Sequence, residues 1–214
     1  MWRQRQPSPR AAHTIGGPPP AHILNLTTMR DWILVTGQPG AGKTTAVRKM
    51  VDYLIQNGVK CRGFYTDEVK DGSHRIGFDI VTVPEGHRAP LSRMEGYPTS
   101  FPTVGKYRVN VESIDELAAP SLELEEGVVL VLDEVGRMEL KSERFRAQVE
   151  RLLESPTVRL IGAITAPRYG HRVPFCDQIS SSEGVQVYNL KKSNRDDVTD
   201  DILARIQDRW LPLS

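Results

Sequence analysis

The sequence predicts an α/β fold: a parallel sheet flanked by helices on both faces, with a small antiparallel β insertion. Three observations predict it. Short apolar runs rich in β-branched residues alternate with longer stretches of helical spacing, as in a parallel sheet whose strands return through helices. The first run leads into a glycine-rich loop, Gly37-Gln38-Pro39-Gly40-Ala41-Gly42-Lys43-Thr44, and the loop opens a helix. Roughly from 64 to 111, segments alternate polar and apolar residues around turn residues, as antiparallel strands do.

Taken in order, residues 1–28 read as a disordered tail, with Pro7, Pro9 and Pro18-Pro19-Pro20 set among Arg, Gln, Ser and Gly and nothing to bury. Residues 29–214 then form one ordered domain. Its first strand is expected at 32–36, and its first helix runs to about 56, where Asn57-Gly58 is a stop signal. The second strand covers 59–66. Asp71-Gly72 makes a turn, and beyond it Ile76, Phe78 and Ile80 share one face while Arg75, Gly77 and Asp79 share the other. Residues 84–103 read as a Pro-containing loop, and 104–111 as a further extended piece. Ser113 with Glu116 forms a capping-box signature for a helix to about 126. The continuous apolar run 128–132 is a strand buried on both faces. A helix at about 141–154 places Phe145, Val149 and Leu152 or Leu153 at helical spacing. A strand at 158–164, a loop at 166–182, a strand at 185–190 and a helix at 194–210 complete the chain. Val198, Ile202, Ile206 and Trp210 form the packing stripe of that last helix.

Composition narrows the function. Charged residues are 26% and hydrophobic residues 39% of 214, ordinary for a globular chain. The net charge of +1 is uneven: residues 1–30 hold Arg3, Arg5, Arg10 and Arg30 and no acid, leaving 24 basic against 27 acidic residues beyond them. A mildly acidic body argues against a nucleic-acid-binding surface, which needs clustered cations to displace counterions. Cys61 and Cys176 have no zinc or redox spacing and are expected to be reduced. No apolar stretch approaches the ~18–20 residues that span a bilayer. The N-terminus lacks an apolar core for a signal peptide, so a cytoplasmic chain is expected. The acid-free, arginine-bearing tail keeps an organelle-targeting role as the second reading.

The loop at 37–44 is a full G-x-x-x-x-G-K-[ST] motif in the strand–turn–helix setting the motif requires. Glycines let the backbone turn sharply and wrap a phosphate chain with N–H groups, and the positive end of the following helix faces that chain. Lys43 is then placed to neutralise β/γ oxygens and the Thr44 hydroxyl to ligate Mg²⁺. The second signal is the run Val128–Leu132 ending in Asp133-Glu134. Ligands of open α/β sheets sit outside such strand ends. Asp133 is the candidate Mg²⁺ carboxylate, acting through water, and Glu134 the candidate that orients an attacking water. Nucleoside triphosphates are the expected partners.

These stretches carry a resemblance. GQPGAGKTT, GFYTDEV, RIGFDIVTV, LSR, GKYRV and VLDEVGRMEL, in this order across about 31–210, resemble the cancer-related nucleoside-triphosphatase family. The resemblance implies a single-domain P-loop NTPase that hydrolyses several NTPs to NDPs with Mg²⁺, slowly and with loose base choice. It also implies nucleotide-binding stretches at Gly37–Thr44, with Thr45 following, and at Val129, Leu130, Val131, Leu132, Asp133, Glu134, Val135 and Gly136. Arg137, the loop from Ala166 to Arg172 and the tail depart from the family pattern.

Weaker candidates accompany these. Thr66, Asp67 and Glu68 end a strand and touch Mg²⁺, water or nothing. Arg75 and Arg93 face either phosphates or solvent, and Arg137, Arg168 and Arg172 are candidate transition-state cations. Ser193, Asn194, Arg195 and Asp196 form either a base or ribose contact or a helix cap. None of the five histidines has metal-ligand spacing. The leading function is a monomeric, Mg²⁺-dependent hydrolase of the β–γ bond; the alternatives are a nucleoside or nucleotide kinase or other small-molecule phosphotransferase, and a nucleotide-dependent switch. Asp133-x-x-Gly136 resembles a switch element, but the chain holds no N-K-x-D to read guanine.

Overall fold

In the computed structural model residues 30–167 and 172–211 are described. The expected 1–28 tail, Arg168 and His171 lie outside the described residues. In chain order the elements are β1 (Asp31–Gly37), α1 (Lys43–Gln56), β2 (Lys60–Asp71), β3 (His74–Val83), β4 (Arg88–Arg93), β5 (Thr103–Val104) and β6 (Tyr107–Val109). Then come α2 (Val111–Ser113), a π stretch (Ile114–Ala118), α3 (Ala119–Ser121), β7 (Val128–Val135) and a 3₁₀ turn (Glu139–Lys141). The chain continues through α4 (Glu143–Glu154), β8 (Arg159–Ile164), α5 (Pro174–Ser181), β9 (Val185–Leu190) and α6 (Arg195–Trp210).

The described strands form one sheet in the order β5-β6-β4-β3-β2-β7-β8-β1-β9. From β2 to β9 neighbours run parallel, because each strand returns through helical chain. From β2 towards β5 they run antiparallel. The tight turn after Asp71 allows nothing else, since a two-residue connection joins only antiparallel strands. The α/β fold with parallel and antiparallel parts is therefore present.

Alternation along the parallel strands builds two cores. Ile33, Val35, Val129 and Val131 pack with Val47 and Met50 of α1 and Ile202, Ile206 and Trp210 of α6. Leu34, Leu130, Leu132 and Phe64 pack on the other face with Phe145 and Val149 of α4 and Ile179 of α5. Asp31 ties the far end of α6 to the start of β1, accepting from Trp210 Nε1 at 2.9 Å and from Arg205 at 3.2 Å. Phe64 is fully buried and meets Phe145 edge to face at 5.9 Å between centroids. Phe64→Ala should therefore lower the unfolding free energy by about 3–5 kcal/mol, read from urea melts. A loss within experimental error would mean that this face of the sheet is not a packed core.

Several expected boundaries shift, each for a physical reason. The predicted loop at 84–103 contains β4 despite Pro90, which pairs with Asp79 where the β3–β4 register is irregular and one ladder bond is dispensable. The predicted helix from Ser113 begins earlier, because the Asn110 side chain accepts from Ser113 N at 3.4 Å and takes the capping position. It also ends at Ser121, next to Pro120, rather than at 126. The predicted loop 166–182 contains α5, which starts with Pro174 in its first turn, where a missing N–H costs nothing. The Ser193–Asp196 capping pattern is not used: Asn194 is the cap residue without a side-chain cap bond, its Oδ1 accepting from Lys191 N instead. Both cysteines are free and buried. Among the described residues no helix is long and apolar enough to cross a membrane.

Candidate active site

The loop between β1 and α1 is tight. Ala41 N donates to Gln38 O at 3.0 Å, and Ala46 N donates to Gly42 O at 2.9 Å to start the helix. Gly42, the N-cap of α1, sits at φ 103, a left-handed conformation that a side chain would strain. No side chain caps α1 and no acid occupies its first turn. The free N–H groups and the positive end of the helix therefore stay available to an anion. Lys43, at the first position of the helix, points back over the loop. Its Nζ donates to Gly37 O at 3.3 Å and pairs with Glu134 Oε2 at 3.2 Å.

Glu134 comes from the end of β7. Here the pairing with β8 is interrupted between Leu132 and Val135, so Asp133 and Glu134 leave the ladder together. The Thr165 hydroxyl donates to Glu134 Oε1 at 2.8 Å and holds the carboxylate from β8's end. Asp133 follows Val129 and Val131 in the strand alternation, which turns it towards α1. It is wholly buried, and neither oxygen finds a hydrogen-bond partner among the described residues. Burial pushes its pKa up to about 7 and the Glu134 charge adds to the rise; the Thr44 hydroxyl, the Lys43 ammonium and the Thr66 backbone oppose it. A buried carboxylate without partners is costly unless something cationic completes it. Among the described residues no three His, Cys, Asp or Glu side chains are grouped to cage a metal. One carboxylate beside one hydroxyl instead suits a hard ion that draws its other ligands from water and substrate phosphates.

Glu139 was not among the sequence candidates, yet it lines the cavity. Its only sequence signal is an acid between apolar neighbours, Met138 and Leu140. A Cβ on Gly136 would stand 2.8 Å from Glu139 Oε2 and 3.0 Å from Glu134 Oε1, so a side chain there would push these carboxylates aside. Burial pushes Glu139 up from 4.5 to about 8, with the Glu134 charge adding to the rise. In the folded chain it keeps its proton; unfolded, it ionises. The stability this group contributes is whole below 4.5 and is lost as pH rises through about 8. Glu139→Gln should thus flatten the decline in stability of nucleotide-free protein across that window. A variant curve parallel to the wild-type curve would show that Glu139 ionises normally.

These groups open on a cavity of about 790 Å³. Gly37, Pro39, Gly40, Gly42, Thr44 and Thr45 line it, and so do Thr66, Asp67 and Glu68. Gln38 is exposed beside the cavity, and Ala41, Val129, Leu130, Val131 and Leu132 are core residues that shape the loop and carry Asp133. Val135 and Gly136 are likewise buried behind the site. Of the arginine candidates, Arg75 and Arg137 line the cavity. Arg93 is committed to Asp79 and to the Phe78 carbonyl at 2.8 Å, and Arg172 pairs with Asp177 at 3.7 Å. Arg195 lines the cavity and packs on Gly42, where an added Cβ would stand 3.1 Å from its Cδ. Arg48 was missed although its position, four residues after Thr44, puts it one turn on along the same face of α1. It stacks on Tyr65 at 4.1 Å and pairs with Asp67.

Comparison with known proteins agrees with this architecture. A protein-family profile with the description NTPase matches residues 32–203. The cancer-related nucleoside-triphosphatase of Homo sapiens is 38% identical over 188 residues, which cover 84% of this chain and 98% of that one. Nucleoside-triphosphatase THEP1 of Thermotoga petrophila is 40% identical over 174 residues, 80% of this chain and 90% of that one. The solution structure of a human cancer-related nucleoside triphosphatase superposes with a TM-score of 0.69 at 37% identity, covering 84% of this chain and 98% of that one. The crystal structure of THEP1 from Aquifex aeolicus gives 0.69 at 34% identity, covering 82% and 99%. With Lys43, Asp133 and Glu134 brought together at the end of a P-loop sheet, and with similarity along most of its length, this chain belongs to the NTPase family of the cancer-related nucleoside-triphosphatases and THEP1.

Proposed function

We propose that this chain hydrolyses nucleoside triphosphates to the diphosphate and inorganic phosphate. The observation that carries the reading is the meeting of Lys43 and Glu134 at 3.2 Å beside a buried, unpartnered Asp133. The names of the relatives, nucleoside-triphosphatases, point the same way. The loop N–H groups and Lys43 hold the β- and γ-phosphates, Lys43 exchanging the Glu134 carboxylate for phosphate oxygens. Thr44 and Asp133 would hold Mg²⁺, which when bound neutralises charge on the β- and γ-oxygens. Glu134, freed from Lys43 but still steadied by Thr165, orients a water and accepts its proton. The absence of N-K-x-D fits loose base choice among ATP, GTP and the other triphosphates. We further propose that the chain is a cytoplasmic monomer and, with its mildly acidic charge beyond residue 30, does not bind nucleic acid.

Phosphate release from ATP, GTP, CTP and UTP, with Mg²⁺ and then with chelator, tests this. Steady release to water that stops on chelation is expected; nucleotide binding without release counts against it. Asp133→Asn should need roughly 10–100-fold more Mg²⁺ for half-maximal release. An unchanged Mg²⁺ requirement would take Asp133 out of its role.

A further inference from the structure

A hydrolase needs room for one water beyond the γ-phosphate, and this cavity has much more. Its lining crosses the strand ends from Arg195, after β9, past Lys43 and Glu134, to Arg75 and Phe78 on β3 and Tyr107 on β6. An adjoining hollow of about 340 Å³, lined by Gly42, Thr45, Lys49 and Arg195, leaves room on the α1–α6 side for a nucleoside extending from the loop. Phosphates running from there reach Lys43 and Glu134 at the middle of the sheet. The antiparallel half then lies beyond the γ-phosphate, where the attacking group of an in-line displacement must stand.

Apolar and aromatic groups line part of that half. Phe78 and Tyr107 meet edge to face at 5.5 Å, with Leu91 and Met138 closing the apolar wall. Cations rim it. The Arg75 guanidinium lies 5.1 Å from the Phe78 ring centre and donates to the Tyr107 hydroxyl at 3.2 Å, while also pairing with Glu68. The Lys106 ammonium lies 5.6 Å from the Tyr107 ring centre, and among the described residues no carboxylate pairs with Lys106 or Arg137. An apolar, aromatic wall beside cations such as Lys106 and Arg137 that no described carboxylate claims suits a flat, anionic ligand.

We propose that the antiparallel half of the cavity is an acceptor subsite for a small, flat-ringed molecule carrying an anionic group and a hydroxyl, and that the γ-phosphoryl group is passed to that hydroxyl. This rests on the phosphate placement proposed above. In the transfer the hydroxyl oxygen forms a bond to the γ-phosphorus as the bridging β–γ bond breaks. The bridging oxygen keeps the electron pair and leaves on the nucleoside diphosphate. The hydroxyl proton passes to the Glu134 carboxylate, and the products are a phosphomonoester and the diphosphate. Release to water is then the reaction of the same site with its acceptor absent.

The test uses para-hydroxymethylbenzoate, which has the ring, the charge and the hydroxyl. Calorimetry should show it binding to protein already saturated with Mg²⁺ and the β,γ-imido analogue of ATP. Lys106→Ala, a change at an exposed side chain, should weaken that binding by about tenfold or more. With ATP, phosphorus NMR should show a phosphomonoester growing at the expense of inorganic phosphate. No binding, or displacement of the probe by the imido analogue, overturns the subsite. Binding with only inorganic phosphate released overturns the transfer. Lys43→Ala should weaken nucleotide binding and leave the probe's own binding unchanged; wild-type nucleotide affinity would sink the phosphate placement while the probe's own binding still reports on the subsite.

Discussion

Lys43→Ala should abolish measurable turnover and weaken nucleotide affinity by roughly 10–100-fold, the worth of hydrogen bonds to a charged group. Lys43 stands at 12% side-chain exposure, within reach of both the Gly37 carbonyl and the Glu134 carboxylate, and it is the cation that can follow charge onto the γ-phosphate. Removing it costs twice. The phosphates lose their ammonium partner, and Glu134 is left partly buried without its counter-charge. Equilibrium binding of a fluorescent ATP analogue, beside phosphate release, separates the two losses. Wild-type affinity in this variant would mean that the loop backbone alone holds the phosphates.

Glu134→Gln has a different signature. The amide keeps the shape and can still meet the Thr165 hydroxyl, so nucleotide affinity should hold. Turnover should fall by about 10²–10⁴-fold, because the group can no longer accept the proton of an attacking water. The split between unchanged affinity and lost turnover is the point of the measurement. A variant that keeps its turnover would take Glu134 out of this role and transfer it to another group lining the cavity.

How legible the site is depends on whether its residues are local in sequence. The phosphate loop reads directly from Gly37–Thr44, because one continuous stretch must supply turn, amides, ammonium and hydroxyl. Asp133-Glu134 reads from its place at the end of a fully apolar strand. Glu139 does not, since a lone acid has no period, and its burial arises only when the Gly136 turn folds it back beside Glu134. Arg75, Lys106 and Tyr107 meet only through the pairing of β3, β4 and β6. No spacing announces that meeting.

The fold divides in the same way. Apolar runs buried on both faces, β7 and β8 among them, are found where expected. β4 is hidden by Pro90, and α5 by a proline and three serines that are harmless at helix ends. The cap at Asn110 rather than Ser113 is a contest between two good capping residues three positions apart. Backbone geometry decides it.

The central claim is that the groups around Lys43 direct water onto the γ-phosphorus. Hydrolysis of ATP in heavy-oxygen water, with both products weighed by mass spectrometry, tests it most directly. One heavy oxygen in each inorganic phosphate and none in the diphosphate is the predicted result. Label in the diphosphate, or release of pyrophosphate with a labelled monophosphate, would contradict it.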